Sequence, residues 1–436
     1  MRPKTSPFSH RLLVIGHLSL VMALTGCGVL TPATPTFTPP APTVLPADTP
    51  TPTLEAQPLI TTLRLWLPEE LDPYGEAPGM NLLAQQLADF GAAHPGLQVE
   101  ITVKKAHGRG GLLDFLRTAR DAAPSVLPDL VVLDATELKT AAGSGLIQPL
   151  DPLLPPVTLD DRLPFAAELG SVDEQTFGLV VGADMQHLAY RPTALASPPV
   201  SWTQVISPPI SFLFPAGASD GQVNDATLIQ YLAAGGALAD SAGGPWLDEN
   251  VLVSVLGFYS DCVGAGAISP PTVLDITDAD QAWERFRAGE GMITVVRAHR
   301  YWLETDDAVA PAAIPTRDGR PFSLARGWVI ALVTAEPARQ AQALTLLDWL
   351  IAAERSAQWT QAAGYLPGTR GALRLWDVSE GERAVLRSLL ESAVAAPRLE
   401  TLADVGPAMQ EAVEEVLGGR ATPQQAAADA VESLGQ

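Results

Sequence analysis

The sequence predicts an α/β chain of two lobes, each a mixed sheet flanked by helices. Three observations carry this: apolar runs of strand length alternate with helical patterns from residue 62 onward, a second such series starts after Asp184, and the chain is long enough for two cores. Its 436 residues are 47 % apolar, which is ample for that burial. Residues 62–67 (Thr-Leu-Arg-Leu-Trp-Leu) read as a first strand. Leu82, Leu83, Leu87 and Phe90 recur at helical spacing over 81–94, and Pro95-Gly96 ends that run. Leu97, Val99, Ile101 and Val103 then alternate as a second strand. A short helix over 112–120 follows, and the apolar run 129–133 gives a third strand ending at Asp134. Strands separated by helices in this way predict a mostly parallel sheet covered on both faces. Past Asp184 come a strand at 188–190, a helix near 202–206, a strand at 211–214, helices at 226–234 and 251–263, and strands at 291–296 and 328–333. The tail is helical over 338–352, 380–394 and 403–417. Thr422, Pro423 and Gln425 open a last helix as N-cap, first residue and capping-box partner.

With 27 basic against 49 acidic residues the formal charge is −22, and only Lys4, Lys104, Lys105 and Lys139 are lysines. No extended basic face forms, which excludes binding to a nucleic-acid backbone. At the N-terminus, Arg2, Lys4 and Arg11 precede the mostly apolar run 12–24. Thirteen residues span roughly 20 Å as a helix, short of the ~30 Å hydrocarbon core, so the segment reads as a signal peptide over 1–26. Its ending, Leu24-Thr25-Gly26-Cys27, resembles the lipobox of bacterial lipoproteins, in which the cysteine is acylated and becomes the new N-terminus. That resemblance implies a lipid anchor at Cys27 and a place on the outer face of the cytoplasmic membrane. Residues 27–58 follow as a tether: nine prolines and eight threonines between 31 and 58 exclude helix and sheet. The two cysteines build no disulfide framework, and Cys262, in an apolar helical pattern, is expected to be buried and unreactive.

Several segments of the body resemble one family: Leu-Arg-Leu-Trp-Leu-Pro (63–68), His-Pro-Gly-Leu-Gln-Val-Glu (94–100), Leu-Pro-Asp-Leu-Val-Val-Leu (127–133), Gly-Leu-Ile-Gln-Pro-Leu-Asp (145–151), Pro-Pro-Val-Ser-Trp-Thr-Gln (198–204), the stretch 286–292, and Ala-Gly-Tyr-Leu-Pro (363–367). In order and spacing they are similar to the extracellular solute-binding proteins of sugar ABC transporters, the group that includes the maltodextrin binders. The resemblance implies a two-lobed periplasmic-binding-protein-like fold of type II with three hinge crossings, placed near 181–186, 320–327 and 372–380. Lobe 1 is then expected over 59–182 and 326–374, and lobe 2 over 183–325 and 375–436. It also implies a non-enzymatic monomer that needs no cofactor, binds a carbohydrate between the lobes and delivers it to ABC permease subunits. Gly178-Leu179-Val180 stands where the family often has Gly-Leu-Pro, and Arg191 where it often has Asn, so ligand identity is not carried over.

A sugar site needs forked hydrogen bonding from carboxylate, amide or guanidinium groups, and an aromatic face for the ring's C–H surface. In open α/β sheets such groups sit beyond the carboxyl ends of strands. That rule selects Trp66, Asp134, Asp184, Arg297, His299, Gly327 and Trp328 as ligand-binding residues, and the family resemblance adds Tyr365. No metal site is expected, because His94, His107, His187 and His299 lie outside any His-Glu-x-x-His pattern. Three rival readings accompany this one, among them a receptor that feeds a sensor kinase and transports nothing. The same fold could hold a polyamine, a peptide or another small solute, for which a cage of carboxylates in place of stacked aromatics is the discriminator. Alternatively, Gly217-Ala218-Ser219-Asp220-Gly221 matches the Gly-x-Ser-x-Gly pattern of a surface hydrolase with Ser219 as nucleophile.

Overall fold

The computed structural model describes residues 61–218 and 221–435. The signal segment, Cys27, the tether and Ser219 lie outside the described residues. Eleven strands follow in chain order: β1 (Thr61–Pro68), β2 (Leu97–Lys104), β3 (Leu130–Asp134), β4 (Ser171–Val172), β5 (Gln175–Thr176), β6 (Gly178–Tyr190), β7 (Phe212–Leu213), β8 (Ile293–Arg297), β9 (Ala310–Ala312), β10 (Ser323–Leu332) and β11 (Ala393–Ala395). Nine form one mixed sheet, ordered β2-β1-β3-β10-β6-β8-β7, with β11 beside β10 and β9 beside β6. The first three strands are mutually parallel, as expected, but β10 joins β3 antiparallel, and β6 in turn pairs antiparallel with β10.

Alternation along each strand explains why both faces are covered. Leu63, Leu65 and Leu67 of β1, Leu130 and Val132 of β3, and Ile330 and Leu332 of β10 point to one face. There they meet Leu83, Leu87 and Phe90 of the helix Met80–Ala93 and Leu346 and Leu347 of the helix Pro337–Ile351. Their alternate neighbours Trp66, Val131, Leu133, Val329 and Ala331 point to the other face, toward Leu112 and Leu116 of the helix Leu112–Ala122. A second pair of cores flanks the far end of the sheet. Ile293 and Val295 of β8 face the helices Asp225–Ala233, Glu249–Ala265 and Leu399–Leu417, while Val296 faces Trp283 and Phe286 of the helix Ala279–Arg287.

Only β6, β10 and the short β11 connect these halves within the sheet. Residues 178–185 of β6 pair with β10, and residues 186–190 pair with β8. The passages near 181–186 and 320–327 therefore fall largely on continuous strands. The third passage departs from expectation. The helix Glu380–Ser392, which the sequence reading put in the second lobe, packs Leu386, Leu389 and Leu390 into the first pair of cores. The chain reaches the second pair from β11 onward, with Val394 at its edge and Leu402 and Val405 within it. The helical spacing of 380–394 fixes which face is apolar and says nothing about which core that face meets. Cys262 is fully buried and its thiol is pushed up to about 12 by burial, so it is a packing residue. Thr422 and Gln425 form the expected capping box at the start of the helix Pro423–Ser433.

Candidate functional site

Where β6 and β10 run side by side, Gly327 faces Ala183, Trp328 faces Gly182, and the register then shifts so that Val329 faces Val180. This irregularity turns the strands, and two glycines make room for it. A Cβ on Gly327 would come 2.8 Å from the Gly182 carbonyl oxygen, and one on Gly182 would come 3.1 Å from both Trp359 and Tyr365. Above this floor lies a cleft of ≈ 330 Å³ whose lining includes Asp134, Asp184, Arg297, Gly327, Trp328 and Tyr365. A second cavity of ≈ 300 Å³ adjoins it and shares Gln186, Asp225, Arg297 and Arg326. Six of the eight expected residues thus converge on one place. A larger cavity of ≈ 840 Å³ lies at the opposite end of β1 and β3, near Thr61 and Asp129, and none of the expected residues reaches it.

Each side chain is held for a local reason. Asp134 ends β3, and its Oδ1 accepts the Thr136 backbone N–H at 2.8 Å and the Thr136 hydroxyl at 2.5 Å, so it caps the following turn. Its Oδ2 stays 3.8 Å from the His107 Nε2. His107 also lies 3.4 Å from Glu137 and stacks near Trp328, with ring centroids 6.4 Å apart. Asp184 accepts backbone N–H bonds from Met185 at 2.9 Å and His299 at 3.0 Å, and it stands 3.8 Å from Arg297. Burial raises its carboxyl above the ordinary value; the Arg297 charge and the His299 N–H act the other way without reversing the shift. Arg297 grips Asp280 in a fork of 3.0 and 2.7 Å. Burial alone would lower this guanidinium, but Asp184 and Asp280 outweigh burial and hold it above its usual value. Arg326 makes the same fork to Asp225 at 3.2 and 2.7 Å.

Two of the expected residues do not line the cleft. Trp66 is 5 % exposed and packs in the core, with the Lys104 ammonium 4.9 Å over its ring. The carboxyl-end rule fixes its height along the strand, while alternation turns its side chain to the helix-covered face. His299 stands behind the lining: its backbone holds Asp184, and its ring lies 4.6 Å from the ring of Tyr365. Trp359 stacks on Tyr365 as well, at 5.8 Å, and Tyr365 lines the cleft. Burial raises that phenol, against an indole hydrogen bond from Trp328. Trp328 is half-buried and remains the aromatic face that borders the cleft.

Sequence reasoning missed Glu70, Gln186, Asp225, Asp280 and Arg326. The carboxyl-end rule looks past strand ends, whereas β10 runs antiparallel to β3 and brings its early residues, Arg326 among them, to the cleft. Asp225 and Asp280 open helices and carried only the general signal of acidic residues in a first helical turn. Among the described residues no group of three or more His, Cys, Asp or Glu is placed to hold a metal ion.

A family model of bacterial extracellular solute-binding proteins matches residues 85–382. Among solved structures, the cyclic α-maltosyl-1,6-maltose binding protein from Arthrobacter globiformis is similar, with a TM-score of 0.67 and 18 % identity over 86 % of this chain and 98 % of that one. The sugar-binding protein MalE from Xanthomonas citri gives 0.66 and 18 % over 86 % and 96 % of the two chains. Maltose-bound MalE3 from T. maritima gives 0.61 and 19 % over 86 % and 99 %. These likenesses are those of a shared fold. With the family match spanning well over half its length, the chain belongs to the bacterial extracellular solute-binding proteins.

Proposed function

We propose that this protein captures a carbohydrate in the cleft over β6 and β10 and delivers it to the permease of an ABC importer. The observation that carries the reading is the convergence of forked carboxylate–guanidinium pairs, Tyr365 and Trp328 on two adjoining cavities. The sugar-binding activity of the structural relatives supports it. Asp134, Asp184, Arg297, Gly327, Trp328 and Tyr365 serve as the lining, with His299 as a support behind Asp184. The lobes meet along β6 and β10, and the helix Glu380–Ser392 goes with the first. The body works as a monomer, without catalysis, on the outer face of the membrane, held by an acylated Cys27 through the Pro- and Thr-rich tether.

Calorimetry of the purified protein against mono- and oligosaccharides tests the binding reading. Affinity for at least one sugar, reduced tenfold or more by Trp328→Ala, is the expected result, and an unaltered affinity in that variant removes Trp328 from the site. Metabolic labelling with a palmitate analogue, lost in Cys27→Ala, tests the anchor.

A further inference from the structure

We infer that the basic loop 105–111, with the ring of Phe115 beside it, is the surface by which the first half docks on an acidic segment of the permease, an inference that rests on the transport reading above. In a chain of net charge −22, all three lysines among the described residues, Lys104, Lys105 and Lys139, stand at or just past the carboxyl ends of β2 and β3. That is the edge of the sheet from which Asp134 reaches the cleft. Arg109 and His107 lie on the same loop as Lys105. The side chains of Lys105, Arg109 and Lys139 are exposed, and among the described residues no acid forms an ion pair with any of them. The acids close by are engaged elsewhere: Asp114 accepts the Gly110 N–H at 2.9 Å, Asp134 accepts the Thr136 N–H at 2.8 Å, and Glu137 stands 3.4 Å from His107.

The loop is closed on itself. The Leu112 N–H donates to the Lys105 carbonyl at 2.9 Å and the Gly111 N–H to the Gly108 carbonyl at 3.0 Å, with Gly108 and Gly110 supplying the left-handed turns. Its backbone is set before any partner arrives, so docking has only side chains to order. Phe115 adds an apolar anchor: it is 40 % exposed, its N–H donates to the Gly111 carbonyl at 2.9 Å, and the Lys104 ammonium lies 3.7 Å over its ring. An exposed aromatic beside an arginine is the composition from which interface hot spots are built. Position decides among the anionic partners that such a surface attracts. Lys105, Arg109 and Lys139 are not among the residues that line the cleft, so a ligand held there does not meet them. An anionic membrane holds basic clusters of about four to eight residues, whereas this patch is smaller and belongs to a strongly acidic body that the same membrane repels. A permease reads ligand capture only from surfaces that move with the cleft. This loop borders it, with His107 3.8 Å from Asp134 and its ring 6.4 Å from that of Trp328. An acidic segment complements the loop's charge and fixes how the first half is oriented on its partner.

The test places the photo-crosslinker p-benzoylphenylalanine at position 115 of the full-length protein in its source cells and identifies the adducts by mass spectrometry. The expected adduct joins a permease subunit through a peptide rich in Asp and Glu. Its yield should fall at least about fivefold in Lys105→Glu/Arg109→Glu, and by a smaller factor in the neutral Lys105→Gln/Arg109→Gln, which also guards against a folding defect of the first variant. In calorimetry and thermal melts both double variants, without the crosslinker, should keep their sugar affinity and melting temperature. Absence of a permease adduct overturns the inference, as does one that is insensitive to the charge reversal or made through a segment without acidic residues. A fall in sugar affinity in the double variants assigns the loop to the ligand and overturns it as well. Sedimentation with vesicles of phosphatidylcholine and phosphatidylglycerol supplies the last arm: binding by the parent protein that the charge reversal abolishes makes the partner a membrane and overturns the inference. The expected permease adduct from a protein that binds no sugar in calorimetry overturns the carbohydrate reading and leaves the docking surface standing.

Discussion

Tyr365 is flanked by the rings of His299 and Trp359, and this decides what a substitution there does. Tyr365→Phe keeps the ring stack but removes the hydroxyl and with it the acceptor of the Trp328 indole N–H, so affinity should fall by about 1 kcal/mol and stability by no more than about 1 kcal/mol. Calorimetry and a thermal melt of the one variant check both halves. A larger loss of stability would mean that the hydroxyl is structural. Trp66→Ala should behave in the opposite way, costing about 3–5 kcal/mol of stability because the side chain is core, with its effect on ligand following from unfolding alone. His187 supplies a pH dependence. It is 2 % exposed, and burial lowers its imidazole to about 4, against a backbone bond to the Leu188 carbonyl. The folded state therefore holds this ring neutral, and the unfolded state takes up a proton near the ordinary value of 6.5. Stability from this group is complete above 6.5 and is lost as pH falls toward 4, by about 3 kcal/mol. Urea denaturation of the parent protein and His187→Phe at pH 7 and pH 4.5 measures it: the variant should lose less stability between the two.

The helix Ala353–Ala363 ends at Gly364, whose φ of 75° is the left-handed cap that aims the next residue, Tyr365, at the cleft. A Cβ there would lie 2.8 Å from the His299 carbonyl oxygen and 2.6 Å from Leu303 Cγ. Gly364→Ala should cost at least about 1–2 kcal/mol from the backbone conformation alone, and should weaken ligand binding by shifting Tyr365 off His299. Denaturant melts paired with calorimetry read the two effects. If stability falls while affinity holds, the cap does not position the ring. Much at this scale was legible in the sequence, because local chemistry decides it. Thr422 with Gln425 marked the last helix, Leu97 to Val103 alternated as a strand, and Pro95-Gly96 marked the end of the first helix within a residue or two. The long strand β6 was read only in part: it is buried on both faces, so Gly178 to Tyr190 show no alternation, and its sequence opens with a glycine and contains another. The register shift at Trp328 and the pairing of Arg326 with Asp225, 101 residues away, depend on tertiary placement and left no local trace.

Two pairs of cores sit on the two ends of one sheet, and within that sheet the connection between them narrows to β6, β10 and the three residues of β11. The side chains that would hold a ligand come from both sides of this neck: Asp134 from β3, in the first half, and Arg297 from β8, in the second. A change of a few degrees per residue along the neck would move the halves relative to one another, against the packing of Ala298 and Trp302 on the first pair of cores. A ligand that touches both sides only when they approach therefore stabilises the closed arrangement by its differential affinity, and that difference sets how far the population moves. The expected outcome is a smaller radius of gyration in small-angle scattering at saturating ligand, together with added stability of about 2.7 kcal/mol at a ligand concentration one hundredfold above Kd. Trp328→Ala should reduce both at a fixed ligand concentration, since it weakens binding without touching the neck's backbone pairing. Added stability with an unchanged radius would mean that the cleft binds without closing, and that recognition by a permease rests on something other than the angle between the two halves.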